Sequence, residues 1–140
     1  MDLQPPQRRT QHHRTERGLR TVVTSATAKR GDPETWRPIE GFEDSYEVSS
    51  KGRVRSWRKG SSEDLRDKPR ILRQTPSVRR GAMQICLMKE RKKSTKFIHL
   101  LVLDAFLGLR PRGFYGIHLD GNKANNNIAN LAYQSGKKGN

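Results

Sequence analysis

The chain has 140 residues, 31% of them hydrophobic, and its 29 Lys and Arg against 14 Asp and Glu leave a formal net charge of +15. That length carries one small domain with a modest core, and the charge speaks for a polyanionic partner, nucleic acid before an anionic membrane surface. The chain has no apolar run long enough for a membrane-spanning helix; its one cysteine, Cys86, rules out a disulfide framework or a cysteine zinc site and fits a reducing, cytoplasmic setting.

Residues 1–33 read as a disordered basic arm, because Pro5-Pro6, His12-His13 and scattered Arg offer few large apolar side chains to offset the entropy of ordering. The fold is expected to begin at Glu34, with Trp36, Ile39 and Phe42 as its first anchors. Tyr46–Ser49 and Arg53–Trp57 alternate and flank Ser50-Lys51-Gly52, the pattern of a β-hairpin. Alternation puts Val54 on one face and Arg53, Arg55 and Trp57 on the other, a face suited to a phosphate track; a solvated face with a half-buried Trp is the plainer alternative. Residues 51–93 hold fifteen Lys and Arg against four acids, whereas residues 36–50 are net acidic.

Residues 58–69 are charged and Gly/Ser-containing, which predicts a loop, and Pro69–Leu72 a short strand. Ala82–Met88 and Thr95–Ile98 are expected to pair across a basic turn, with Cys86 as a small buried residue. His99–Leu107 predicts a packing helix closed by Gly108, its first residue His99 serving as a capping or packing histidine. Phe114–Leu119 and Asn130–Gln134 predict a second strand pair, followed by a polar tail. The local, antiparallel arrangement, with no βαβ pattern, places the chain in the α+β class.

Between those last strands lies Gly116 to Leu131, with one His, one Asp and five Asn. Asp and Asn bond their own backbone and tolerate left-handed geometry, so this stretch predicts a self-braced loop with His118 at its entrance. A histidine held beside such a loop is a candidate general base; a structural histidine is the alternative.

Two sets of residues carry a family resemblance. Trp36-Arg37-Pro38-Ile39, Gly41-Phe42-Glu43, Tyr46-Glu47-Val48-Ser49 and Gly52-Arg53-Val54-Arg55-Ser56 resemble the nuclease-associated modular DNA-binding motif of the fourth type. His99-Leu100-Leu101-Val102, Ala105-Phe106, His118-Leu119-Asp120-Gly121-Asn122, Asn125-Asn126 and Asn130-Leu131 resemble the HNH endonucleases of phages and mobile introns. The resemblance covers residues 34–134 and implies a β-rich DNA-binding region over 34–95, then an HNH region of ββα-metal type over 96–140. It implies hydrolysis of duplex DNA by a monomer, with His118 as general base, Asn130 as its support, and Mg²⁺ or another divalent cation stabilising phosphate charge. Lys51, Arg53, Arg55, Trp57 and Arg58 would contact DNA.

The family's metal ligands are a polar residue just before the His and a His or Asn on a helix after the second strand. Here Ile117 precedes His118, and the final helix is expected to be missing, since the family's helical position falls at about Gly139. Asp120 is the substitute ligand the sequence offers, with a turn role as its alternative. A DNA-binding remnant without turnover and a basic RNA-binding protein are the competing functions.

Overall fold

The computed structural model describes residues 8–15, 18–25, 27–59 and 64–136. Three antiparallel sheets pack around one helix, in agreement with the α+β class. The first sheet has the order β1-β2-β11-β10, from Arg8–Thr15, Gly18–Ser25, Leu131–Ser135 and Phe114–His118. The second has the order β3-β4-β5-β6, from Trp36–Pro38, Tyr46–Ser49, Val54–Arg58 and Leu65–Ile71. The third has the order β7-β8-β9, from Thr75–Pro76, Met83–Lys89 and Lys92–Phe97.

Local sequence explains most of these pairings. The β4–β5 hairpin turns at Gly52, whose φ of 87° lies where glycine alone is unstrained. The β8–β9 hairpin turns on Glu90 and Arg91, both at positive φ (50° and 67°), a two-residue turn whose twist matches the strands it joins. Helix α1, Ile98–Leu107, buries Ile98, Val102, Leu103, Phe106 and Leu107. Tyr133 on β11 donates from its hydroxyl to Asp104 Oδ1 at 2.6 Å, and Arg37 on β3 donates to Ala105 O at 2.9 Å. The helix is thereby tied to two different sheets. A single cluster of buried side chains joins Val23, Ile39, Val48, Val54, Ile85, Leu87, Val102, Phe106 and Leu131, so the residues before and after position 95 share a core.

Three sequence expectations are corrected. The segment 1–33 is not wholly an arm: β1 and β2 pair from Arg8↔Ser25 to Thr15↔Gly18, and β2 joins β11 through Tyr133↔Val23 and Gln134↔Val22. Val22 and Val23 are buried, each worth about 1.5–2 kcal/mol of apolar burial. Composition alone could not show this, because the partner strand comes from more than a hundred residues later. The expected loop over 58–69 is shortened by β6, which starts at Leu65 and pairs with β5. Cys86 is exposed, on the outer side of β8, where the pleat alternates it with buried Ile85 and Leu87. The expectation of a missing final helix falls on residues 137–140, outside the described residues. Among the described residues no helix is long and apolar enough to cross a membrane.

Candidate active site and nucleic-acid interface

His118 ends β10 and sits at the mouth of the Asn-rich loop. Its Nε2 lies 2.7 Å from Asn126 Oδ1. An amide oxygen only accepts, so Nε2 is the donor in this pairing, and in the neutral ring Nδ1 is then the basic nitrogen. Asn126 is buried and His118 half-buried, so water has only partial access to this bond. The His99 ring stands 4.9 Å from the His118 ring, centroid to centroid. Gly116 permits the approach: a Cβ there would lie 3.0 Å from Leu100 and Leu103 side-chain carbons and 3.1 Å from His99 Cδ2. Of the capping and packing roles expected for His99, the structure shows packing. Phe97 occupies the N-cap, and His99 lines a cleft with His118.

That cleft has a volume of about 450 Å³. Arg79, Arg80, Arg110 and Lys123 line it, together with Phe97 and Tyr115, and among the described residues no carboxylate does. Arg79 and Arg80 come from the turn between β7 and β8, Arg110 from the connector after α1, and Lys123 from the Asn-rich loop. Lys123 Nζ donates to Arg80 O at 2.6 Å, which ties the loop to that turn. Sequence reading missed all four cations, because three separate segments deliver them.

The loop is braced as expected. Asp120 Oδ1 accepts from Asn122 N (2.8 Å) and Asn130 Nδ2 (2.9 Å), and Oδ2 accepts from Asn125 Nδ2 (3.0 Å). The Asn125 bond first, then those from Asn122 and Asn130, hold the Asp120 carboxyl down to a pKa of about 2. Asn130 Oδ1 accepts in return from Asp120 N at 3.1 Å, and Asn130 O accepts from Leu119 N at 2.7 Å. Asn130 thus supports the loop, while the direct bond to the His118 ring comes from Asn126. The Asn125-Asn126 pair was visible in the sequence; which asparagine faces His118 was not.

A divalent cation does not fit the described residues around His118. Ile117 has no ligand atom, both Asp120 oxygens are engaged within the loop, and the cleft wall is cationic. Among the described residues no group of three or more His, Cys, Asp or Glu could hold a metal. Asp120 is a loop brace, which is the turn role its Asp-Gly context allowed.

The expected DNA-contact residues divide. Lys51 is exposed on the β4–β5 turn. Arg53 pairs with Glu34, its Nε donating to Oε2 at 2.9 Å, and this bond is the main reason the Glu34 carboxyl lies below its usual pKa. Arg55 Nε and Trp57 Nε1 both donate to Glu47 Oε1 at 2.8 Å. The Arg55 guanidinium lies 4.2 Å from the Trp36 ring centroid and 5.6 Å from that of Trp57. Trp36 and Glu47, on neighbouring strands, complete a face that the β5 sequence alone showed only in part. Arg58 is corrected: it is buried, with Nη1 donating to Met88 O at 3.2 Å. Alternation puts it on the Val54 and Ser56 side of β5, so it serves packing.

Residues 34–88 match the NUMOD4 motif. The chain is 34% identical over 103 residues to an uncharacterized HNH endonuclease of Acanthamoeba polyphaga mimivirus, covering 73% of this chain and 27% of that protein. It is 33% identical over 102 residues to the DNA endonuclease I-HmuI of Bacillus phage SP01, covering 73% of this chain and 53% of that one. A solved structure describing DNA binding and cleavage by the HNH homing endonuclease I-HmuI aligns with a TM-score of 0.57 at 33% identity, over 69% of this chain and 50% of that chain. The chain thus spans about half the length of I-HmuI and about a quarter of the viral protein.

Proposed function

From a chain that carries a NUMOD4 motif and is a relative of the HNH homing-type endonucleases, we propose a protein that binds duplex DNA and sets His118 against a backbone phosphate as the base of a phosphodiester hydrolysis. The observation that carries this reading is His118, held in one tautomer by buried Asn126, inside a cleft rimmed by Arg79, Arg80, Arg110 and Lys123. Nδ1 of His118 takes a proton from water. The hydroxide forms the new bond to phosphorus, and the bond to the leaving sugar oxygen breaks, with solvent returning a proton to that oxygen. The four cations supply the positive field for the charge that develops on the phosphate oxygens. The Arg55, Trp36 and Trp57 face offers a second contact along the duplex.

The family resemblance implies Mg²⁺ or a similar ion, which would polarise the phosphate. The described residues provide no donor set for it, so the chemistry above rests on the protein's own groups. Nicking of supercoiled plasmid, with Mg²⁺ and with a chelator, tests the proposal. Cleavage is expected, and His118→Ala should reduce it by about 10²–10⁴-fold, the contribution typical of a positioned base. Cleavage by His118→Ala at the parental rate would overturn the role of His118.

A second reading, a DNA-binding protein of the same fold without turnover, is favoured by one observation: among the described residues, Ile117 and a cleft lined by four cations and no carboxylate give His118 no partner acid and no His, Cys, Asp or Glu cluster for a metal. It predicts salt-sensitive duplex binding and no nicking under either condition. A clear preference for structured RNA over duplex DNA at equal salt would count against both readings.

A further inference from the structure

We propose that Gly52, in the turn of the DNA-binding sheet, is a positioning residue for His118 that acts through Asn126. The proposal rests on the reading of His118 above. It makes the β4–β5 turn a structural part of the histidine site.

The turn is stiff in its own right. Ser49 is buried, and its Oγ accepts from Lys51 N at 3.2 Å and Arg53 N at 3.0 Å. Gly52 N donates to Ser49 O at 3.0 Å. From outside the turn, Gln74 Nε2 donates to Gly52 O at 2.6 Å. This rigid turn meets the Asn-rich loop at its working residue and just after it. Ser50 O accepts from Ile128 N at 2.8 Å, two residues after Asn126. The bare Cα of Gly52 lies flush against Asn126 itself: a Cβ there would stand 2.5 Å from Asn126 Cβ and 2.9 Å from Asn126 O.

Asn126 is a short lever. Its Cβ faces Gly52 and its Oδ1 lies 2.7 Å from His118 Nε2, with only two bonds between Cβ and Oδ1. A hydrogen bond weakens steeply with small losses of distance and angle. Pushing Asn126 off Gly52 therefore releases the His118 ring and the tautomer that leaves Nδ1 basic. The sheet that would contact DNA and the histidine that would act on it are joined through this turn, and its contact with Asn126 is made without a side chain.

The molecule contains its own control. Gly41 has φ 85°, nearly that of Gly52 at 87°, yet a Cβ on it would meet nothing within 4 Å. Alanine at either position carries the same backbone strain, and only at position 52 does it strike the loop.

The test reads the ring nitrogens of His118 by ¹⁵N NMR in the full chain, assigned by their loss in His118→Ala. The parent should show a single Nε2–H tautomer, and Asn126→Ala should replace it with an exchanging mixture. Gly52→Ala should shift the His118 resonances toward those of Asn126→Ala, and Gly41→Ala should leave them at the parental positions. Parental resonances in Gly52→Ala or Asn126→Ala, or an equal shift in Gly41→Ala, would overturn the proposal. If Gly52→Ala does not fold, Gln74→Ala decides, since it loosens the turn without backbone strain. A smaller shift in the same direction is expected, and an unchanged spectrum overturns the inference. Cleavage is not the readout, so a protein without turnover still answers the question.

Discussion

The β5 face and the His118 cleft are both rich in cations, yet they present charge differently. On the β5 face Arg53 is paired with Glu34, and Arg55 shares Glu47 with Trp57. In the cleft, Arg79, Arg80, Arg110 and Lys123 converge with no carboxylate among the lining residues. Salt-dependent affinity follows the phosphates actually neutralised rather than the count of Lys and Arg. The cleft is therefore expected to dominate phosphate binding, and the β5 face to contribute position and aromatic contact.

The sharpest way to break this comparison is to strip the cleft. Arg80→Ala with Arg110→Ala should weaken duplex binding about tenfold or more at moderate salt and lower the slope of log affinity against log salt by about two. Fluorescence anisotropy across a salt series measures both, and an unchanged slope would move phosphate binding elsewhere. Arg58→Ala separates packing from contact: it should cost about 2 kcal/mol of stability in a denaturant titration, through lost burial and an abandoned carbonyl partner, while duplex affinity stays near the parental value.

Glu34→Gln tests the neutralised side of the comparison. Freeing Arg53 from its carboxylate should raise duplex affinity by about two- to threefold, because an exposed ion pair holds its cation only weakly. A fall in affinity would show that Glu34 orients Arg53 for contact rather than competing with DNA.

The smallest effect belongs to Asp120. Its folded pKa of about 2 lies below the ordinary aspartate value. The sign follows: its contribution is fully present above the unfolded value near 3.9 and is lost as pH falls toward about 2. Acid titration should therefore show the Asn-rich loop loosening over that window, read from the amide resonances of Asn122 and Ala124. Asp120→Asn should flatten that dependence without altering neutral-pH binding.

Much of this was legible because it is local. The β4–β5 hairpin, the β8–β9 pair, helix α1 and the braced loop each follow from a few adjacent residues whose periodicity or turn chemistry is short-ranged. The reading failed where a residue's environment depends on distant chain. Val22 and Val23 lie in a segment read as a disordered arm, and only β11 supplies the neighbour that buries them. Cys86 and Arg58 were placed by composition of their segments, while the pleat assigned each to the opposite side. His99 could be read as a capping or a packing histidine, and its place beside His118 showed only once Gly116 let β10 close on the helix.

By itself the sequence determined the basic charge, the order of the two motifs, a self-braced Asp- and Asn-rich loop, and His118 as the candidate base. Those depend on side-chain chemistry and on spacings of a few residues. Tertiary structure alone decided that Asn126 holds the His118 ring, that four cations from three segments surround it, and that Gly52 backs Asn126. The reason is physical: hydrogen bonding within a turn is encoded locally, whereas convergence of distant groups depends on how the shared core brings the sheets together, and spacing along the chain carries no record of that.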